Sequence, residues 1–124
     1  MTIEIDYTPT RKQRLFHSSS ADEVLFGGAA GGGKSKACVM EALILCLRHP
    51  ETHAYLFRRS YPELRDTLIL EALRSIPKGL GKYSGERHDF NLRNGSVLHF
   101  RNCSGMKDVT RYQGVAIHWL IIDE

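Results

Sequence analysis

The chain has 124 residues, of which 42% are apolar and 25% are charged. This length and composition indicate one soluble globular domain at most, and no apolar run approaches the roughly 20 residues that a membrane-spanning helix needs. The net charge is +3, but residues 58–111 hold eleven Lys/Arg against six Asp/Glu, which is compatible with a polyanionic partner or with an ordinary solvated surface.

Two elements are predicted before the glycine-rich segment. Thr8 and Pro9 have the pattern of an N-cap followed by proline in the first helical turn, which predicts a short helix through Phe16. The apolar run at 23–26 favours a short buried strand. After the glycines, apolar residues recur at helical spacing over 34–48. The order is therefore strand, glycine-rich loop, helix.

A second strand and a second helix are predicted next. Residues 53–57 are apolar enough for a strand, and Ser60 with Glu63 forms a capping box that begins a helix. This helix is expected to end near Ile76, with an inner stripe of Leu64, Leu68 and Ala72. The glycines that follow predict a mobile connection; they are Gly79, Gly81 and Gly85.

Asn94-Gly95, between two short apolar runs, predicts a β-hairpin. A two-residue turn would pair Leu92 with Val97 and put the apolar residues of the two strands on opposite faces. A three-residue loop with a left-handed Gly95 at a bulge puts four of them on one face, namely Phe90, Leu92, Leu98 and Phe100. We expect burial of that face to favour the bulged form.

The remaining segments complete the predicted fold. Polar residues 104–110 predict a loop or a short helix, and the apolar run 117–122 predicts a last strand, central in a parallel sheet. Strands that alternate with helices indicate an α/β fold, with a mostly parallel sheet flanked by helices and an inserted β-hairpin.

The glycine-rich loop is the strongest functional motif. It matches G-x-x-x-x-G-K-[ST] without a mismatch, with the residues Gly28, Ala29, Ala30, Gly31, Gly32, Gly33, Lys34 and Ser35. Because no side chain protrudes, successive backbone N–H groups can surround phosphate oxygens, and the following helix directs its positive end at them. Lys34 is expected to contact the β- and γ-phosphates of ATP, and Ser35 to bind Mg²⁺. The motif predicts a P-loop NTPase.

Two acids follow the last predicted strand. Asp123 is expected to hold Mg²⁺ through its water shell, and Glu124 to orient or deprotonate the attacking water. A kinase has no use for such a base beside the aspartate, so the pair favours hydrolysis. Because the chain ends on Glu124, we expect a truncated ATPase domain. ATP binding by this fragment is a firmer expectation than ATP hydrolysis.

Other polar residues are weaker candidates. Gln13 lies about twenty residues before Lys34, where some motor ATPases contact adenine with a glutamine amide; a helix-surface glutamine is the alternative. Arg58, Arg59 and Arg111 could be arginine fingers, or surface and DNA-facing charges. Without H-E-x-x-H or C-x-x-C patterns, no structural metal site is expected, and the cysteines indicate reduced thiols in a cytosolic setting.

Taken together, these segments resemble the large terminase subunit of tailed bacteriophages. The matching segments are Pro9 with Gln13 and Phe16, Leu25 to Ser35, Phe57-Arg58-Arg59, Arg111-Tyr112-Gln113-Gly114, and Leu120 to Glu124. The phosphate loop and the Asp-Glu strand belong to many ATPases. The Arg-Tyr-Gln-Gly stretch, together with the double-glycine loop, points to terminases in particular.

The resemblance implies a RecA-like ATPase domain of the additional-strand, catalytic-glutamate type, of which residues 1–124 would be the N-terminal portion. Such a protein drives double-stranded DNA into a preformed capsid in the host cytoplasm and has a nuclease domain further along. The implied partners are DNA, the portal protein, the small terminase subunit and further copies in a ring, with no membrane.

The resemblance also implies roles for individual residues. Lys34 and Ser35 would be the phosphate and Mg²⁺ residues, Asp123 the second Mg²⁺ group and Glu124 the catalytic base, with Gln13 in the adenine-contacting region. Some relatives have a trans-acting arginine before the glycine that matches Gly114. This chain has Gln113 there, with Arg111 two residues earlier.

Two other functions agree with the same motifs. One is a helicase-type or other RecA-like ATPase, and the other is a nucleotide- or DNA-binding fragment without turnover. A terminase would have nuclease acids downstream of Glu124, whereas a helicase would not. Binding of Mg-ATP without phosphate release would indicate the fragment without turnover.

Overall fold

Helix α1 comprises Lys34–Arg48 and opens the part of the chain that the computed structural model describes, residues 33–102 and 117–122. It has the bounds that its apolar periodicity predicts. His49 ends it in an extended conformation, as expected of a residue that precedes proline. Its buried face consists of Ala37, Cys38, Val39, Met40, Ala42, Leu43 and Cys46.

Five strands of the described chain form one mixed sheet. They are β1 His53–Arg58, β2 Gly81–Ser84, β3 Asp89–Leu92, β4 Val97–Asn102 and β5 Trp119–Ile122. Their order across the sheet is β2-β3-β4-β1-β5. β1 pairs in parallel with β4 and β5, whereas β3 pairs antiparallel with β2 and β4. The described fold is therefore α/β, with a parallel part around β1 and an antiparallel part around β3.

The second helical stretch, 61–75, is continuous but not uniform. It consists of helix α2 Tyr61–Leu64, a π-helical turn Arg65–Ile69 and helix α3 Leu70–Ser75. The Ser60 hydroxyl accepts a hydrogen bond from the Glu63 N–H at 3.4 Å, which confirms the predicted N-cap. The predicted stripe is also confirmed, since it is buried at Leu64, Leu68 and Ala72.

The π-helical turn was not predicted. The Thr67 hydroxyl donates to the carbonyl of Glu63, four residues earlier, at 2.6 Å. Such back-bonding competes with the helical hydrogen bonds and commonly bends a helix. π-Turns are rare insertions in otherwise α-helical segments, and the predicted apolar spacing of this segment did not distinguish one from a regular α-helix.

The β3–β4 hairpin has the predicted three-residue loop. Leu92 N–H donates to Ser96 O at 2.8 Å, and Gly95 N–H donates to Leu92 O at 3.1 Å. Gly95 has φ 89°, a left-handed conformation that glycine adopts without steric cost. The predicted burial of one hairpin face is confirmed. Its four apolar residues are buried, namely Phe90, Leu92, Leu98 and Phe100.

The connection over 79–85 was predicted incompletely. It contains a 3₁₀ turn, Lys78–Leu80, and strand β2, which pairs with β3. A Cβ atom on Gly81 would lie 2.1 Å from Asn91 O, so this glycine permits close approach of two backbones. The prediction treated the glycine as a sign of mobility, whereas its absent side chain allows strand pairing.

The helices cover one face of the sheet. Since side chains alternate along strands, this face presents Ala54, Leu56, Phe90, Leu92, Leu98 and Phe100, which belong to one apolar cluster with residues of α1 and of 61–75. Burial raises the pKa of the Cys46 thiol within this cluster to about 11. Over 33–102 and 117–122, no helix is long and apolar enough to cross a bilayer.

Some predictions fall outside the described residues. These are the helix that begins near Thr8, the strand at 23–26 and the segment 104–110. Strand β5 begins at Trp119, two residues later than predicted. Within the described sheet it lies at one end, beside β1, so the predicted central position is not observed there.

Candidate functional site

The N-terminal end of α1 is the part of the predicted phosphate loop that the structure describes. Gly33 is left-handed, with φ 80° and ψ 14°, and Lys34 and Ser35 are the first two helical residues. Ala37 N–H donates to Gly33 O at 3.0 Å, so the N–H groups before it point out of the helix end. The loop residues Gly28, Ala29, Ala30, Gly31 and Gly32 lie outside the described residues.

The charges at this end favour an anion. The first turn of α1 has no acidic residue but includes Lys34 and Lys36. Cations at the positive end of a helix are unfavourable by about 0.3–1 kcal/mol each at exposed positions. An anion bound at the helix end would instead interact favourably with the helix dipole. The absence of an acidic residue and the presence of Lys34 at this end are compatible with an anion site.

Hydrogen bonds at the C-terminal end of α1 show how the helix is oriented relative to the sheet. Cys46 O accepts hydrogen bonds from Asn94 Nδ2 at 2.9 Å and from Ser96 Oγ at 3.1 Å, and Ser96 directly precedes β4. The C-terminal end of α1 thus lies at the edge where β4 and, in parallel, β1 begin. The helix is about 22 Å long and β1 about 20 Å. Its N-terminal end therefore lies toward the carboxyl ends of these strands.

The end of strand β5 lies at the same edge of the sheet. β5 runs parallel to β1, with Ile122 opposite Phe57. Asp123 and Glu124 lie outside the described residues, but the strand that precedes them ends beside the last residues of β1. Carboxyl ends of parallel strands are where open α/β sheets bind ligands. The described fold thus brings the start of α1 and the end of β5 to the same edge of the sheet.

Arg58 also lies at this edge, as the last residue of β1. Its Nη1 is 3.5 Å from Thr67 Oγ1, and its Nε is 3.8 Å from Glu63 Oε2. The side chain is 21% exposed and is held against the helical stretch 61–75, whereas Arg59 is exposed. The other two candidates, Gln13 and Arg111, lie outside the described residues.

A polar cluster on the opposite face of the sheet was not predicted. It joins Asp89, His99 and Arg101 to His53. In the sequence, the histidines are notable only for lacking a metal-binding spacing. Polar residues at alternate positions of β4, together with His53 at the start of β1, could have indicated this cluster, but only if the register of the two strands had been known. In the part of the chain that the structure describes, no three His, Cys, Asp or Glu residues are placed to hold a metal ion.

Comparison of the chain with protein-family models, with curated proteins and with solved structures found no match.

Proposed function

We propose that this chain is the ATP-binding and ATP-hydrolysing segment of a phage DNA-packaging terminase. One observation supports the proposal most strongly. Helix α1 begins at a left-handed Gly33 with Lys34 and Ser35 in its first turn, and it directs that end toward the strand edge where β5 leads into Asp123. The chain matches the phosphate-loop pattern at every position, and α1 begins where that pattern requires a helix to begin.

In this proposal the backbone N–H groups of 28–33 and the N-terminal end of α1 hold the phosphates of ATP. Lys34 contacts the β- and γ-phosphates and neutralises charge that develops during hydrolysis. The residues that would hold Mg²⁺ are Ser35 and Asp123, both oxygen donors, which suits a hard cation. Mg²⁺ would supply charge neutralisation on the β- and γ-oxygens.

Glu124 orients the attacking water and accepts its proton, and Gln13 contacts adenine. Hydrolysis in a ring of such subunits, at the portal of a procapsid, moves double-stranded DNA in the host cytoplasm. The small terminase subunit would be a further partner. The basic excess over 58–111 agrees with a DNA partner, since polyanion binding depends on local cation density.

The proposal is tested by steady-state phosphate release from Mg-ATP, with and without double-stranded DNA. The chain should release phosphate, and Glu124→Gln should lower the rate about 100-fold or more because the general base is lost. Glu86→Gln, which removes an exposed carboxylate in the turn before β3, is the matched control and should keep the rate.

Bound Mg-ATP without release would instead indicate a fragment without turnover. Equal rates for Glu124→Gln and the unsubstituted chain would contradict the assignment of the base.

A further inference from the structure

A chain of polar contacts crosses three strands on the sheet face opposite the helices. Arg101 Nη2 and His99 Nδ1 each lie 2.9 Å from Asp89 Oδ1. His99 Nε2 lies 2.8 Å from His53 Nδ1. Asp89 is on β3, His99 and Arg101 are on β4, and His53 begins β1, so the contacts join the antiparallel part of the sheet to the parallel part.

The hydrogen-bonding geometry restricts which nitrogen atoms of His99 and His53 can bear a hydrogen. A carboxylate is only an acceptor, so His99 Nδ1 must bear the hydrogen that it donates to Asp89. The contact between His99 Nε2 and His53 Nδ1 then needs a hydrogen on one nitrogen and none on the other. One added proton satisfies this condition, because either ring can be the imidazolium. Two added protons put two N–H groups and two positive charges face to face, and the contact must break.

The two histidines, His53 and His99, are enclosed by other polar and aromatic groups. Asp89 and His99 are only 6% and 9% exposed, and the Tyr55 ring stacks on His99 with centroids 4.3 Å apart. His53 N–H donates to His118 Nδ1 at 3.0 Å, beside a third stacked imidazole. In the described part of the chain, the titratable or charged groups that face the pair are therefore Asp89, Arg101, Tyr55 and His118.

These groups lower the pKa values of His53 and Asp89 for different reasons. Burial, then the nearby His99 and His118, lower the pKa of His53. Burial alone would raise the pKa of Asp89, but hydrogen bonds and charge from His99 and Arg101 outweigh it and lower that pKa. The carboxylate thus stays charged while His53 resists protonation.

We propose that Asp89, His99 and His53 form an acid-sensitive clasp that holds the β3–β4 hairpin to β1. A single added proton can reside on either ring and leaves the clasp closed. A second proton breaks the contact between His53 and His99 and loosens the junction between the hairpin and the parallel strands. This inference does not depend on the proposed function.

The stability contributed by the clasp should decrease as the pH falls. In the unfolded chain His53 takes up a proton near its ordinary pKa of about 6.5, whereas in the folded chain burial and the neighbouring His99 and His118 lower its pKa. The unfolded state therefore binds more protons below about pH 6.5, and stability falls as the pH falls through this window. Above this window the clasp contributes its full stability.

Urea unfolding from about pH 7.5 to about pH 5.5 tests the clasp. The midpoint concentration of the unsubstituted chain should fall, and that of His53→Gln should fall by less than half as much, because a glutamine amide can donate to His99 Nε2 but cannot become charged. His49→Gln is the control, because His49 is an exposed histidine outside the cluster, and should follow the unsubstituted chain. Equal falls for all three would overturn the proposal.

Nitrogen-15 NMR of the imidazole rings in the unsubstituted chain gives an independent test that needs no variant. His99 Nδ1 should remain protonated throughout, and the two rings together should take up a single proton while the backbone amide spectrum stays native. If both rings become imidazolium in a chain that keeps its native amide spectrum, the clasp does not exist.

Discussion

At the C-terminal end of helix α1, side chains from the hairpin loop complete the hydrogen bonding of the helix. Cys46 O accepts from Asn94 Nδ2 at 2.9 Å, and the fully buried Ser96 hydroxyl lies within hydrogen-bond distance of Cys46 O and His49 O. Ser96 Oγ also accepts from Thr52 N–H at 3.1 Å. Helix ends leave carbonyls without helical partners, and here a distant loop supplies the donors.

Ser96→Ala should therefore destabilise the protein by about 1–3 kcal/mol, because Thr52 N–H would lose its Ser96 acceptor in a partly buried site. Ser75→Ala is the matched control. Its hydroxyl makes a longer contact of 3.5 Å with Glu71, and its removal from a helix should change stability by less than about 0.5 kcal/mol. Urea unfolding of both variants measures the difference, and equal effects would contradict the role of Ser96.

At the scale of elements, the sequence predicted what local signals determine. The bounds of α1 follow from apolar periodicity and Pro50, and the hairpin loop follows from Asn94-Gly95 together with the burial of one face. The elements that the sequence did not predict, strand β2 and the π-helical turn, depend on contacts between residues that local signals do not reveal. Strand β2 exists because Gly81 allows β3 to approach, and the π-turn accompanies the hydrogen bond from Thr67 to Glu63.

Gly81→Ala tests the account of β2. The new Cβ atom would lie 2.1 Å from Asn91 O, a clash with backbone rather than with a flexible side chain. We expect a loss of stability of about 2 kcal/mol or more, since the strands must separate. Gly85→Ala is the control, because its Cβ atom would meet nothing within 4 Å.

Thermal unfolding of the two variants provides the measurement. The midpoint for Gly81→Ala should be several degrees below that of Gly85→Ala, given about 4 °C per kcal/mol for a chain of about 100–150 residues. A Gly81→Ala protein as stable as Gly85→Ala would mean that β2 and β3 are not in close contact in solution.

In the whole molecule, the sheet brings together two described segments that lie far apart in the sequence, the start of α1 and the end of β5. Parallel pairing of β5 with β1 and the direction of α1 lead Lys34 and the end of β5 to one edge of the sheet. The sequence predicted the motif residues because phosphate chemistry restricts the residue types. It could not predict the strand order, which arises from packing of the whole sheet against the helices.

The most direct test of the central claim is a calorimetric titration of the chain with Mg-ATP. We expect binding at a single site, weakened at least about tenfold by Lys34→Ala, because the Lys34 ammonium would contact the phosphates in the proposed site. Lys82→Ala, which removes the same charge from an exposed position on β2, should bind like the unsubstituted chain. Binding that Lys34→Ala leaves unchanged, or no binding of Mg-ATP by a folded chain, would contradict the account.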